Sequence, residues 1–147
     1  MFLRRLLSAT YARKGEERDA EFIHLVELGK WKQALKLLEQ GVDVNAKTAV
    51  GATALHLAAA NGDIGLVGVL LRHGADPNGG SMLGTPLHVA ATAGHMKVVQ
   101  ALLLYDADPT TPDQDGRTPD EHTADDDIQL VLRYEMRKRR EAAARSS

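Results

Sequence analysis

A chain of 147 residues is long enough for one domain with its own core, and the absence of cysteine rules out disulfides, thiolate catalysis and cysteine-based zinc sites. Hydrophobic residues make up 44% and charged residues 26%, but aromatics only 4%, so the core has to be aliphatic, which suits close-packed helices better than a β-sandwich. The net charge of −2 hides an uneven spread of +4 over residues 1–15, −10 over the body and +4 over residues 133–147, and no run approaches the ~18 apolar residues of a membrane-spanning helix.

The chain opens with a basic amphipathic segment, residues 1–18. Phe2, Leu3, Leu6 and Leu7 alternate with Arg4, Arg5 and Arg13, acids are absent before Glu16, and Ser8 and Thr10 are present. Such a segment reads either as a mitochondrial targeting peptide or as a helix that docks on the rest of the chain or on a partner. Residues 19–45 follow with Phe22, Leu25, Val26, Leu28 and Trp31, then Leu37-Leu38 and Gly41-Val42-Asp43-Val44-Asn45.

Two strong copies of one pattern come next, over residues 51–78 and 84–110. Thr53-Ala54-Leu55-His56-Leu57-Ala58-Ala59 recurs as Thr85-Pro86-Leu87-His88-Val89-Ala90-Ala91, a step of 32 residues. Each threonine precedes an apolar run as a helix N-cap should, and Pro86 fits the first turn, where a missing N–H costs little. Gly62 and Gly94 follow where the first helix must end and turn back. A second helix carries Ile64, Val67, Leu70 and Leu71, or Val98, Val99, Leu102 and Leu103, on one stripe. Each unit closes on a polar turn, Gly74-Ala75-Asp76-Pro77-Asn78 or Asp106-Ala107-Asp108-Pro109-Thr110.

A fourth, degenerate copy occupies residues 116–140. It begins Gly116-Arg117-Thr118-Pro119, places Asp120 where leucine is expected, and has Asp125-Asp126-Asp127 at the inter-helix turn. Ile128, Val131, Leu132 and Met136 still form a helical stripe, and the acidic run reads as a solvated helix N-terminus. Residues 141–147 are expected to form a tail. Helices this short fall below the ~12–15 residues needed for independent stability, so each unit has to stack on its neighbour.

The Thr-Pro-Leu-His start, the glycine turn, the paired leucines and the Gly-Ala-Asp-x-Asn close resemble the ankyrin repeat over about 120 residues. The resemblance implies an all-α solenoid over residues 19–140, with about four helix-turn-helix units and projecting β-hairpin loops. It also implies a non-catalytic protein-binding module, an adaptor or scaffold subunit of a larger assembly. The binding surface of such proteins maps here onto hairpin tips Ala49, Val50, Ala52, Ser81, Met82, Leu83, Gln114, Asp115 and Arg117. The inner-helix positions are Ala60, Asn61, Thr92 and Ala93. Val50, Met82 and Leu83 would form an apolar strip, although the loop before Thr85 is one residue shorter than the pattern.

Other chemistry finds little support in the sequence. His56 and His88 belong to the repeated motif, where the resemblance implies inter-loop hydrogen bonds, and His24, His73, His95 and His122 occur singly. None has the spacing of a helical metal pair. Asp113-Gln114-Asp115-Gly116 lacks the first aspartate and the closing glutamate of a calcium loop. No catalytic triad order, phosphate-cradling loop or cofactor motif is present, so no catalytic, cofactor or metal residue is expected. Arg137-Lys138-Arg139-Arg140 has no interleaved aromatics to stack bases; it reads as a helix end or as a basic patch for acidic or anionic surfaces rather than nucleic acid. An intracellular, cytoplasmic location is the expectation, with a mitochondrial assembly as the alternative.

Overall fold

The computed structural model describes the backbone of residues 2–147 and the side chains from Lys14 onward. The amphipathic face expected of Phe2, Leu3, Leu6 and Leu7 therefore lies outside the described residues. Seven α-helices follow in order: α1 (Phe2–Glu27), α2 (Trp31–Glu39), α3 (Ala54–Asn61), α4 (Ile64–Arg72), α5 (Pro86–Ala93), α6 (Met96–Leu104) and α7 (Asp126–Arg145). They pair as α1–α2, α3–α4 and α5–α6, and α3 packs between α1 and α5 to form an inner row.

The core is aliphatic, as the composition requires. Leu55, Leu70, Leu87, Leu102, Ile128 and Leu132 are fully buried, with Phe22 the one buried phenylalanine in the described core. Ala54, Ala58, Ala59, Ala90 and Ala91 are buried between the inner helices, where small side chains let α3 and α5 approach closely. Gly62 and Gly94 end those helices in the left-handed conformation, φ 69° and 76°. Burial of each leucine contributes about 1.5–3 kcal/mol, drawn from the paired helix and from neighbouring units together.

The end units differ from the middle two. In the first, α1 extends well beyond the repeat, and Leu28 is exposed while Phe22, Ile23 and Val26 carry the packing. In the fourth, the first helix shrinks to a single 3-10 turn, Pro119–Glu121. Asp120 occupies the position of Leu55 and Leu87 and is buried. Its carboxylate accepts hydrogen bonds from the Thr118 hydroxyl (2.6 Å) and Arg133 Nε (3.0 Å). Asp125 caps α7 by accepting from the backbone N–H groups of Asp127 and Ile128, so the acidic run is a helix start. The expected tail is not separate: α7 runs on through residues 141–145.

The hairpin loops are tight turns without a named strand among the described residues. Thr48 N–H donates to Ala52 O (2.8 Å) and Asp113 N–H to Arg117 O (2.8 Å). The middle loop is the short one, closed by an isolated bridge between Ser81 and Gly84. The Met82 N–H donates to Val50 O (3.1 Å), which joins the first two tips.

Candidate functional site

The loops are held in register by two buried histidines. In α3 the Thr53 N–H donates to His56 Nδ1 (3.1 Å), so that nitrogen carries a lone pair and Nε2 carries the proton. Nε2 then donates to Gly84 O (3.0 Å) of the next hairpin. In α5, Thr85 N–H donates to His88 Nδ1 (3.1 Å) and His88 Nε2 donates to Arg117 O (2.9 Å). Each imidazole thus caps its own helix and ties down the following loop. Burial pushes both histidine pKa values below the ordinary 6.5, and the carbonyl bonds to Gly84 and Arg117 oppose that shift without reversing it.

Gly84 takes the place that Arg117 fills in the next unit, because the middle loop lacks one residue. Its φ is +84°, and a Cβ there would meet His88 Cγ at 2.8 Å. Only glycine lets the shortened hairpin present its carbonyl to His56.

A second tie between units, which the sequence reading passed over, is an asparagine that acts as a staple. Asn45 Oδ1 accepts from Asp76 N–H (2.8 Å) and its Nδ2 donates to Gly74 O (3.2 Å). Asn78 does the same to Asp108 N–H (2.7 Å) and Asp106 O (3.1 Å). The visible signal was the asparagine closing both Val-Asn and Pro-Asn turns, 33 residues apart. In the third unit Thr110 stands in that slot and bonds only within its own loop, to Asp108.

Three hairpin tips line one open groove of about 610 Å³. It brings together Ala49, Val50, Ser81, Met82 and Gln114 of the expected contact residues. Val50, Met82 and Leu83 are 44%, 64% and 57% exposed, so the apolar strip stands free of the core. Leu83, Asp115 and Arg117 are exposed beside the groove. Ala52 requires a correction, since its side chain is 1% exposed and points into the fold, with its N–H and carbonyl both bound to Thr48. Ser81 is half-buried, its hydroxyl donating to Gly84 O and accepting from Leu83 N–H, so it shapes the turn. Ala60, Asn61, Thr92 and Ala93 are exposed, but they lie at the far ends of α3 and α5. An eight-residue helix separates them from the tips by about 12 Å.

His88, Asp113 and His122 also converge, with candidate ligand atoms within 4.8 Å of one another. His122 Nε2 donates to Asp113 Oδ2 (2.6 Å), and the His88 and His122 rings meet edge to face at 5.4 Å. Both nitrogens of His88 are already committed to Thr85 and Arg117, which leaves two ligands, too few for a closed metal site. The cluster reads as a hydrogen-bond network that fixes the third hairpin on the 3-10 turn. The bonds from Arg117 N–H, together with His122, hold the Asp113 carboxyl below the usual carboxylate range. No described helix is long and apolar enough to cross a membrane.

Comparison with known proteins gives the same frame. A family model described as ankyrin repeats (3 copies) matches residues 23–113. The human mitochondrial disaggregase is 40% identical over 68 residues, 46% of this chain and 10% of its own length. The mouse 2-5A-dependent ribonuclease is 40% identical over 72 residues, 48% of this chain and 10% of its own length. The bovine inactive serine/threonine-protein kinase TEX14 is 35% identical over 65 residues, 44% of this chain and 4% of its own length. The chain spans a tenth or less of each of these relatives. The family match covers well over half the chain, and with the repeated helices, the histidine ties and the asparagine staples it identifies the chain as a member of the ankyrin repeat family.

Proposed function

We propose that the chain is a non-catalytic adaptor or scaffold subunit that binds a partner protein through its hairpin tips. The observation that carries this is the groove between the three tips, with Val50 and Met82 on its walls and Leu83 at its edge. Exposed apolar side chains on a hydrogen-bonded framework offer a preorganised contact that loses little entropy on binding. Ala49 and Gln114 extend the contact along the groove, and Asp115 and Arg117 supply polar rim groups. Ala60, Asn61, Thr92 and Ala93 join it where the partner reaches along the inner helices. The basic ends add attraction to acidic or anionic neighbours.

Affinity capture from the native source with Met82→Asp and Leu83→Asp variants tests the proposal. Both side chains are solvated, so the variants should fold normally and lose the partner by at least roughly tenfold in affinity. Equal recovery of the same partners by wild type and both variants would contradict the groove as the binding surface.

A mitochondrial setting is the second reading. It is favoured by the acid-free, arginine-bearing start and by the partial likeness to a mitochondrial disaggregase. Residues 1–18 fused to a fluorescent reporter should then carry it into mitochondria, whereas a diffuse reporter would remove this reading.

A further inference from the structure

The outward face of α7 carries large apolar side chains that the fold does not use. Leu130 is 69% and Tyr134 55% exposed, one helical turn apart, and they share a shallow groove with Val131, Arg133 and Arg137. Across Val131 the apolar surface continues to Leu103 and Leu104 of α6. The helix is also polarised along its length. Asp126 and Asp127 occupy its first turn, the two apolar residues its middle, and Arg137 and Lys138 the turns beyond.

These features are arranged symmetrically about residue 132. Leu130 and Tyr134 lie two positions to either side, Asp127 and Arg137 five, Asp126 and Lys138 six. At 100° per residue all six fall on the outward face, opposite the buried Ile128 and Leu132. Such a face is complementary to itself when a second copy lies antiparallel across a two-fold axis that passes beside the face at the level of residue 132. The apolar residues then meet at the axis. Asp126 of each copy falls opposite Arg137 of the other on one side, and Asp127 opposite Lys138 on the other. A parallel arrangement would instead oppose like charges.

We propose that α7 is a self-docking surface through which two copies of this chain associate antiparallel. The adjacent Arg139 is outside the docking face: it donates to Ala107 O (2.9 Å) and anchors α7 to the third unit. The α7 groove and the tip groove share no lining residue, so the dimer would present two tip grooves at once and gain avidity for a multivalent partner.

Sedimentation equilibrium of the full chain over a concentration series tests this, with far-UV circular dichroism as the folding control. The expected result is a reversible dimer that weakens with salt. Leu130→Glu and Tyr134→Glu each weaken it by at least roughly tenfold with unchanged helicity. Asp126→Arg and Arg137→Asp each weaken it alone, and the double variant D126R/R137D regains most of the loss, because each copy then offers the swapped pair. A monomer at every concentration would overturn the proposal. So would a dimer indifferent to Leu130→Glu, or a chain that stays monomeric while α7 captures an acidic partner protein.

Discussion

At the scale of single residues, the framework depends on polar groups buried for a purpose. His56 and His88 are neutral in the fold because burial disfavours the imidazolium, and their folded pKa values lie below 6.5. The sign follows directly. The unfolded chain takes up protons below pH 6.5 that the folded chain refuses, so the stability they contribute is complete above that pH and is lost as pH falls through the lowered pKa values. The loss is at most about 1.4 kcal/mol per pH unit for each histidine. Urea unfolding between about pH 7.5 and about pH 5 should show the decline, and His88→Gln should flatten it. A pH-independent midpoint in the wild type would refute the assignment. Gly84 gives a second test. Gly84→Ala strains a φ of +84° and drives a methyl into the His88 ring, so it should cost more than about 2 kcal/mol in the same assay. The histidines were legible from the repeated Thr-x-x-His, but the role of Gly84 was not. A one-residue deletion moves glycine into a carbonyl-presenting position, and spacing alone does not say which carbonyl the next histidine finds.

At the scale of elements, the fourth unit shows how the pattern is closed. Thr118 N–H donates to Glu121 Oε2 (2.8 Å), so Glu121 caps the 3-10 turn as histidine caps α3 and α5, but a carboxylate has no proton for a further loop. Asp120 sits where the inner leucine belongs. Burial pushes its pKa up, while the Thr118 hydroxyl and the Arg133 guanidinium outweigh this and keep its carboxyl below the usual range. Removing Arg133 should therefore destabilise more than removing the pair. We expect Arg133→Ala to cost about 1–3 kcal/mol by leaving a buried acid without its charged partner. Asp120→Leu should be neutral or stabilising, since leucine matches the two middle units and Arg133 can return to water. Thermal unfolding of the two variants reads the difference, and a larger loss for Asp120→Leu would contradict it. The sequence revealed this unit through Thr118-Pro119 and the Ile128 stripe. It did not reveal that the first helix contracts to one turn, because proline at its start and acids at its next two positions are compatible with either length.

At the scale of the whole molecule, stability is a sum of stacked units joined by short ties, and the proposed binding surface is the edge where the loops meet. Removing a tie should loosen neighbouring units without destroying either. Asn78→Ala removes two hydrogen bonds between the second and third units and should cost about 1–2 kcal/mol in chemical unfolding. An unchanged midpoint would show that the staple contributes nothing. The solenoid itself was legible from two strong copies and their spacing, because repeated burial demands repeated residues. The tips were legible only in part. Val50 and Met82 line one groove, whereas Ala52 turns inward to close its hairpin and the ends of α3 and α5 stand a helix length away. A loop's position follows from the repeat, but the direction of each side chain follows from the turn, which a spacing rule does not contain. The α7 face was not read from the sequence: Leu130 and Tyr134 fall outside the stripe of Ile128, Val131, Leu132 and Met136, and their exposure shows only once the core is known.

The most direct test of the tip groove is amide hydrogen exchange of the chain alone and bound to its captured partner. The account predicts slowed exchange on binding at residues 49–51, 80–83 and 113–115, with the outer helices α2, α4 and α6 unchanged. Protection confined to those outer helices, with the three tips exchanging as in the free chain, would contradict it.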